Sequence, residues 1–284
     1  VQTCALPISS SSGSDWREWH VMDIATGTVL PDVLRWSKFA SAAWTHDGKG
    51  FFYQRYPAPK EGETFQQKNV NPQYCYHRLG TEQSADLVVY ERPDQPDWGF
   101  QGEVSEDGKF LLLGITKGTD RRNRVAYVDL TAGFAVTPLL MEFDASYDFI
   151  CSEGDTFYFR TDVGAANGRI VAIDRKSPAR DSWRSIVPEQ KEALGSARMI
   201  GRHLVLTYLA DASSQLRLFA LDGTDAGAIA LPGIGTVGAM TGRGSDTQLY
   251  FAFTSFTQPS TIYRYDFATK QSSIFRKPSF GRSD

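Results

Sequence analysis

The side chains of this 284-residue chain best suited to chemistry are four histidines, three cysteines, scattered acidic pairs and one basic cluster. His20, His46, His77 and His203 never fall into the His-Glu-x-x-His spacing of a zinc peptidase, and none has a second ligand four residues on. His46 sits in a turn sequence and His77 at a strand end, so both are expected to be structural. Cys4, Cys75 and Cys151 match neither a disulfide framework nor a zinc site. Cys75 and Cys151 lie in strand-like runs and read as small buried apolar residues, compatible with a reducing compartment. No Gly-x-Ser-x-Gly elbow supplies a hydrolase nucleophile, and no glycine-rich phosphate loop is present. Acidic pairs such as Glu106-Asp107 belong to turn sequences, where solvent leaves a carboxylate too ordinary an acid for catalysis. On these residues alone the chain has no catalytic group, no metal site and no cofactor.

The elements that would position any site are short strands in a repeat. Apolar runs end in an aspartate at Asp23, Asp129, Asp174, Asp222 and Asp266, with Arg78-Leu79-Gly80 standing in where one aspartate is missing. From Asp129 onward the steps are 45, 48 and 44 residues, and the 106 residues from Asp23 to Asp129 fit two units plus an insertion. A period in the forties with strand composition predicts a four-stranded propeller blade per unit. A second marker, a polar turn carrying Asp or Gly, precedes an aromatic or aliphatic strand: Asp47-Gly48 before Phe51, Asp107-Gly108 before Phe110, Gly154-Asp155 before Phe157, and Ser245-Asp246 before Leu249. Asp-Gly supplies the positive φ of a tight hairpin. The runs Arg124 to Leu130, Gly168 to Asp174 and Leu216 to Asp222 mix polar and apolar residues and are expected to be outer blade strands. The fold class is therefore all-β, with about five full blades and part of another. Pro57 to Pro72 reads as a long surface loop inserted between strands of one blade, and Pro188 to Leu194 as a short helical run.

Composition narrows the partners. A formal charge of −3 and an isoelectric point near 5.9 argue against nucleic acid or an anionic membrane surface. No apolar run reaches the roughly 18–20 residues that span a bilayer. The cluster Arg121-Arg122-Asn123-Arg124 is expected to be a solvated turn between strands. Val1 to Ile8 carries no signal peptide and matches the in-frame translation of a common sequencing adapter, so residues 1–12 are expected to be a non-native or disordered N-terminus.

Several segments together resemble the propeller of the prolyl oligopeptidase family. They are Gly13 to Trp16, Leu30 to Leu34, Lys38-Phe39, Ala43 to Gly50, Tyr76 to Ser84, Pro96 to Trp98 and Phe253 to Phe256. The resemblance runs from about Gly13 to Phe275. It implies a seven-bladed-type propeller over residues 13–276 and, at 277–284, the start of a linker to an α/β-hydrolase domain outside this chain. In the family that domain carries a Ser-Asp-His triad and cleaves short peptides after proline. The chain itself is then an incomplete lid, inactive alone, that gates entry of short peptide substrates. The resemblance further implies a parent that is a serine peptidase, monomeric when complete; a cytoplasmic setting is expected, with the periplasm or secretion as the alternatives.

By the same resemblance, Phe39 matches an aromatic that lines an apolar substrate subsite. Thr116 and Thr119 stand where family members carry an arginine and a cysteine facing substrate, and Gly99 replaces a larger apolar residue. Phe39, Gly99, Thr116 and Thr119 are thus the candidate substrate-binding residues. A threonine cannot make the forked, charged contact of an arginine, so this subsite departs from the family pattern. The rival reading is a free-standing propeller that serves as an interaction scaffold, since propellers host many functions. A related branch cutting after basic residues is the third reading, from which the Trp44 to Lys49 stretch leans away.

Overall fold

A computed structural model describes residues 4–5, 8–9, 15–60 and 68–279. They form six antiparallel four-stranded sheets, here called I to VI. Sheet I pairs the long strands Arg17–Asp23 and Val29–Ser37, with the two-residue segments Cys4–Ala5 and Ile8–Ser9 on the free side of the first. The other five are simple meanders in chain order. Sheet II holds Ala43–Trp44, Gly50–Arg55, Gln73–Arg78 and Leu87–Glu91. Sheet III holds Trp98–Val104, Phe110–Lys117, Asn123–Asp129 and Val136–Leu140. Sheet IV holds Tyr147–Glu153, Thr156–Thr161, Arg169–Asp174 and Arg184–Val187. Sheet V holds Ala193–Ile200, His203–Ala210, Ser213–Phe219 and Asp225–Ile229, and sheet VI holds Thr236–Thr241, Gln248–Ser255, Gln258–Asp266 and Gln271–Arg276.

The chain divides into two compact units, Val1–Ala145 with sheets I to III and Ser146–Asp284 with sheets IV to VI. Within each unit, apolar clusters form between consecutive sheets. Phe51, Tyr53 and Cys75 of sheet II pack with Trp19, Val21 and Leu34 of sheet I. Phe52 and Tyr74, on the opposite face, pack with Phe100, Leu111 and Leu113 of sheet III. Leu204 and Leu206 meet Ile170 and Ala172, and Phe251 and Phe253 meet Val205 and Leu216. A central strand buried on both faces must be apolar at successive positions, which explains why Phe51, Phe52 and Tyr53 run without alternation.

The repeat markers are local turns. Each aspartate ends or follows the third strand of its sheet, and its carboxylate accepts a backbone N–H two or three residues on: Thr26 for Asp23, Thr131 for Asp129, Lys176 for Asp174, Thr224 for Asp222 and Ala268 for Asp266. Those backbone bonds hold the carboxyls of Asp23 and Asp222 below their ordinary range, and the Thr269 N–H does most of the same for Asp266. The runs expected to be outer strands are therefore third strands, one in from the outer edge. Val125 to Val128 and Ile170 to Ile173 are buried. The Asp-Gly turns join first and second strands, with Gly48 and Gly108 at φ 66° and 72°. No helix forms at Pro188 to Leu194, which runs as a loop into the first strand of sheet V. The two helical elements among the described residues are single 3₁₀ turns, Gln83–Ala85 and Arg180–Ser182. No helix among them is long and apolar enough to cross a membrane.

Sheet I is tied to sheet II by a buried ionic network. His77, 1% exposed, lies between two buried carboxylates: Nδ1 is 2.7 Å from Asp86 Oδ1 and Nε2 is 3.1 Å from Asp32 Oδ1. Asp32 also accepts the Gly80 N–H at 2.6 Å, and the Tyr53 hydroxyl donates to Asp86 Oδ2 at 2.6 Å. Gln83 extends the network, donating to the Tyr53 oxygen and exchanging two hydrogen bonds with the backbone of Arg35. A carboxylate at each nitrogen favours the imidazolium, which can donate to both. Burial pulls its pKa down, but the bonds and charges of Asp86 and Asp32 outweigh burial and leave it raised above the ordinary 6.5. Its stabilising contribution is then complete below that ordinary value and fades as pH climbs through the raised one.

Thermal melts should show His77→Ala destabilised by about 3–5 kcal/mol, because two buried carboxylates lose their counter-charge. The gap between parent and variant should narrow as the buffer moves from pH 6 into the alkaline range. A gap that widens with rising pH would contradict an imidazolium.

Candidate functional site

Each meander has two unlike ends. Turns joining first to second and third to fourth strands, with their Asp-Gly and aspartate markers, lie at one end. Starts of first strands and the connections from second to third strands lie at the other. All four candidate residues belong to this second end of sheets II and III: Phe39 in the segment leading into sheet II, Gly99 at the start of Trp98–Val104, Thr116 near the close of Phe110–Lys117, and Thr119 in the turn beyond it.

Phe39 is 60% exposed and has a backbone φ of 50°. A bulky residue in the left-handed region costs on the order of 1–3 kcal/mol and persists only where its surroundings impose it. Here they do. Ser37 is fully buried and its hydroxyl donates to the Gln54 carbonyl at 2.8 Å. Lys38 is buried too, with its ammonium 3.9 Å above the Trp16 ring, a cation–π contact. Arg17 donates to the Ala40 carbonyl at 3.3 Å, and Tyr56 N–H donates to the carbonyl of Trp36, itself at φ 62°. Residues on both sides are pinned inward while the Phe39 ring is presented to solvent.

Gly99 and Thr116 are directly opposite each other in sheet III. The Thr116 hydroxyl donates to the Gly99 carbonyl at 3.3 Å, and a Cβ at position 99 would stand 2.9 Å from that hydroxyl oxygen. The two residues are sterically coupled, because a side chain at 99 has to displace Thr116. Thr119 is exposed in a turn whose Gly118 has φ 54°. Contact thus joins Gly99 to Thr116, while Phe39 reaches them only through an intermediary.

That intermediary is Gln54, which the sequence reading passed over. Its carbonyl anchors Ser37, its Oε1 accepts the Phe100 N–H at 2.6 Å, and its Nε2 donates to the Tyr56 hydroxyl at 3.4 Å. One signal was available: Gln54 closes the otherwise hydrophobic run Phe51-Phe52-Tyr53. Arg124 is a second omission and a correction to the expected solvated turn. Arg122 does pair with Asp120 in that turn, but Arg124 lies in the third strand, its guanidinium 4.8 Å from the Trp98 ring and 4.5 Å from Phe143. Arg92 stacks on Trp98 as well, at 4.7 Å.

The inserted loop connects the second and third strands of sheet II, as expected. Its residues 61–67 lie outside the described residues. The arm that follows is held against the approach to sheet III, where Asn71 N–H donates to the Pro96 carbonyl at 2.8 Å and Lys68 pairs with Asp97 at 3.0 Å. Cys75 is buried, which pushes its thiol up to about 11, and Cys151 is half-buried. An exposed aromatic, a glycine and a hydroxyl can bind an apolar or peptide group. They carry neither nucleophile nor base.

Residues 3–278 match the family model of the prolyl oligopeptidase N-terminal β-propeller domain. The chain is similar to the prolyl endopeptidase of Elizabethkingia meningoseptica, 30% identical over 269 residues that cover 95% of the chain and 38% of the relative. It is also similar to the dual function macrocyclase-peptidase POPB of Amanita bisporigera, 34% identical over 87% of the chain and 35% of the relative. The structure of prolyl oligopeptidase B from Galerina marginata, bound to a 25mer macrocyclization substrate, superposes with a TM-score of 0.88 at 28% identity, covering 99% of this chain and 41% of that one. The chain therefore spans about two-fifths of the length of these relatives, and the sheets are blades of their propeller.

The coupling between positions 99 and 116 is directly measurable. Gly99→Ala should lower stability by about 1–3 kcal/mol through overpacking, and adding Thr116→Ala should recover most of the loss. A urea midpoint unmoved by the single substitution would show that the strand yields freely.

Proposed function

The chain belongs to the prolyl oligopeptidase family, as its N-terminal β-propeller domain, and from that premise we propose that it is the substrate-gating lid of a serine endopeptidase that cleaves short peptides after proline. Catalysis in this reading belongs to an α/β-hydrolase domain of the parent protein. The propeller restricts entry and supplies one wall of the peptide site. The observation that carries the reading is Phe39: a ring held out in solvent on a backbone conformation that four contacts at its neighbours enforce. An aromatic offers large apolar contact with only two torsions to freeze, which suits a subsite for a peptide side chain. Support for peptides as the substrate class comes from the related Galerina structure, which holds a peptide substrate.

Gly99, Thr116 and Thr119 complete the proposed wall. With a hydroxyl at 116 in place of a guanidinium, this wall recognises by shape and neutral hydrogen bonding, and the glycine at 99 gives the apolar pocket more room. The Pro57 to Pro72 loop stands at the same end of the sheets and is proposed to gate entry. The buried free thiol of Cys75 suits a cytoplasmic setting.

In the full-length protein, Phe39→Ala should raise KM for a short apolar proline-containing fluorogenic peptide by roughly 5–30-fold, the loss of about 1–2 kcal/mol of contact, with kcat little changed. An unchanged KM would remove Phe39 from the site. Shortening the 57–72 loop should raise kcat/KM for long peptides relative to short ones, and unaltered length selectivity would reject gating.

A further inference from the structure

We infer that Gln54 is a positioning residue of the peptide subsite, locking the Phe39 ring and the Gly99–Thr116 floor into one register; this rests on the subsite reading above. The argument starts from an edge. Trp98–Val104 is the edge strand of sheet III, so N–H groups on its outer side have no partner in their own sheet. The Phe100 N–H, adjacent to Gly99, finds one in the neighbouring sheet, the Gln54 side-chain oxygen at 2.6 Å. The main-chain oxygen of the same residue receives the Ser37 hydroxyl at 2.8 Å, two positions before Phe39.

Gln54 is thus bonded through one oxygen to the segment that presents the aromatic and through the other to the strand that forms the floor. It is 3% exposed, and its Oε1 stands 3.7 Å from where a Cβ on Gly99 would lie. An apolar residue at 54 would pack as well in the sheet but leave the buried Phe100 N–H unsatisfied. That group would then pull the edge strand towards another acceptor. The Nε2 contact to Tyr56 holds the amide in the orientation that aims Oε1 at Phe100. Tyr56 in turn bonds Trp36, so the loop with its left-handed residues is gripped from both sides.

Gln54→Met, Gln54→Glu and Phe39→Ala are compared in the full-length protein by steady-state kinetics on the fluorogenic peptide. Gln54→Met keeps the volume and removes both side-chain bonds; KM should rise about fivefold with kcat within about twofold. Gln54→Glu keeps an acceptor for Phe100 and should return KM to within about twofold of the parent. In the double variant with Phe39→Ala, Ser37→Ala should add less than about twofold, since it acts through the aromatic already removed, whereas Gln54→Met, which frees the Phe100 strand, should still raise KM. Should Gln54→Met fail to fold, Ser37→Ala severs the other arm more gently and should raise KM in this non-additive way. If Phe39→Ala raises KM but Gln54→Met and Ser37→Ala do not, or if the effect of Ser37→Ala multiplies with that of Phe39→Ala, Gln54 is structural only. An unchanged KM in Phe39→Ala itself overturns the subsite reading, and the role of Gln54 falls with it.

Discussion

A histidine held between two aspartates, buried away from water, is the constraint on which the first half of the chain depends. Asp32 comes from sheet I, His77 and Tyr53 from sheet II, and Asp86 from the segment after a single 3₁₀ turn. Apolar packing between those sheets is non-directional and would tolerate sliding. The two carboxylate bonds to one ring would not, because each fixes the distance and the angle at which its element approaches. Sheet I ends in the segment that carries Phe39, so the register set at His77 is transmitted along the Val29–Ser37 strand to the other end of the sheets.

At that end the same logic is repeated with neutral groups. Buried Ser37 and Lys38 pull the chain inward, and left-handed Trp36 and Phe39 absorb the resulting bend. Gln54 joins this loop to sheet III. Long-range precision therefore comes from a few polar side chains in an interior that is otherwise aromatic and aliphatic. Where they bond to backbone, as at Ser37, Gln54 and Thr116, they place main chain and leave the exposed ring and the glycine floor free for a ligand.

What was legible in the sequence was whatever acts over a few residues. The aspartate and Asp-Gly markers bond to neighbours two or three positions away, so their spacing reported the number and length of the sheets. The helical run at Pro188 to Leu194 was misread for the opposite reason: its glutamate, lysine, alanine and leucine favour a helix, but seven residues cannot offset nucleation without tertiary support, and Leu194 is taken into sheet V instead. The identification of third strands as outer ones failed because the polar residues that suggested exposure, such as Arg124, lie against aromatic rings. His77 was legible as structural, but not its partners, which lie 45 and 9 residues away. Gln54 closes an apolar strand, and its partners Ser37 and Phe100 lie 17 and 46 residues away, beyond any local pattern.

The stretch Arg78-Leu79-Gly80, where the aspartate marker is missing, has its own meaning. Every other full unit caps its third strand with its own carboxylate, whereas Gly80 takes its acceptor from Asp32 of the preceding sheet. A repeat that closes with its own atoms can be duplicated, shuffled or exchanged as a cassette, as the origin of repeat proteins requires. The second unit has lost that independence. It is bound by heredity to its predecessor, and a recombination breakpoint between Ser37 and Ala43 would part a cap from the strand it caps.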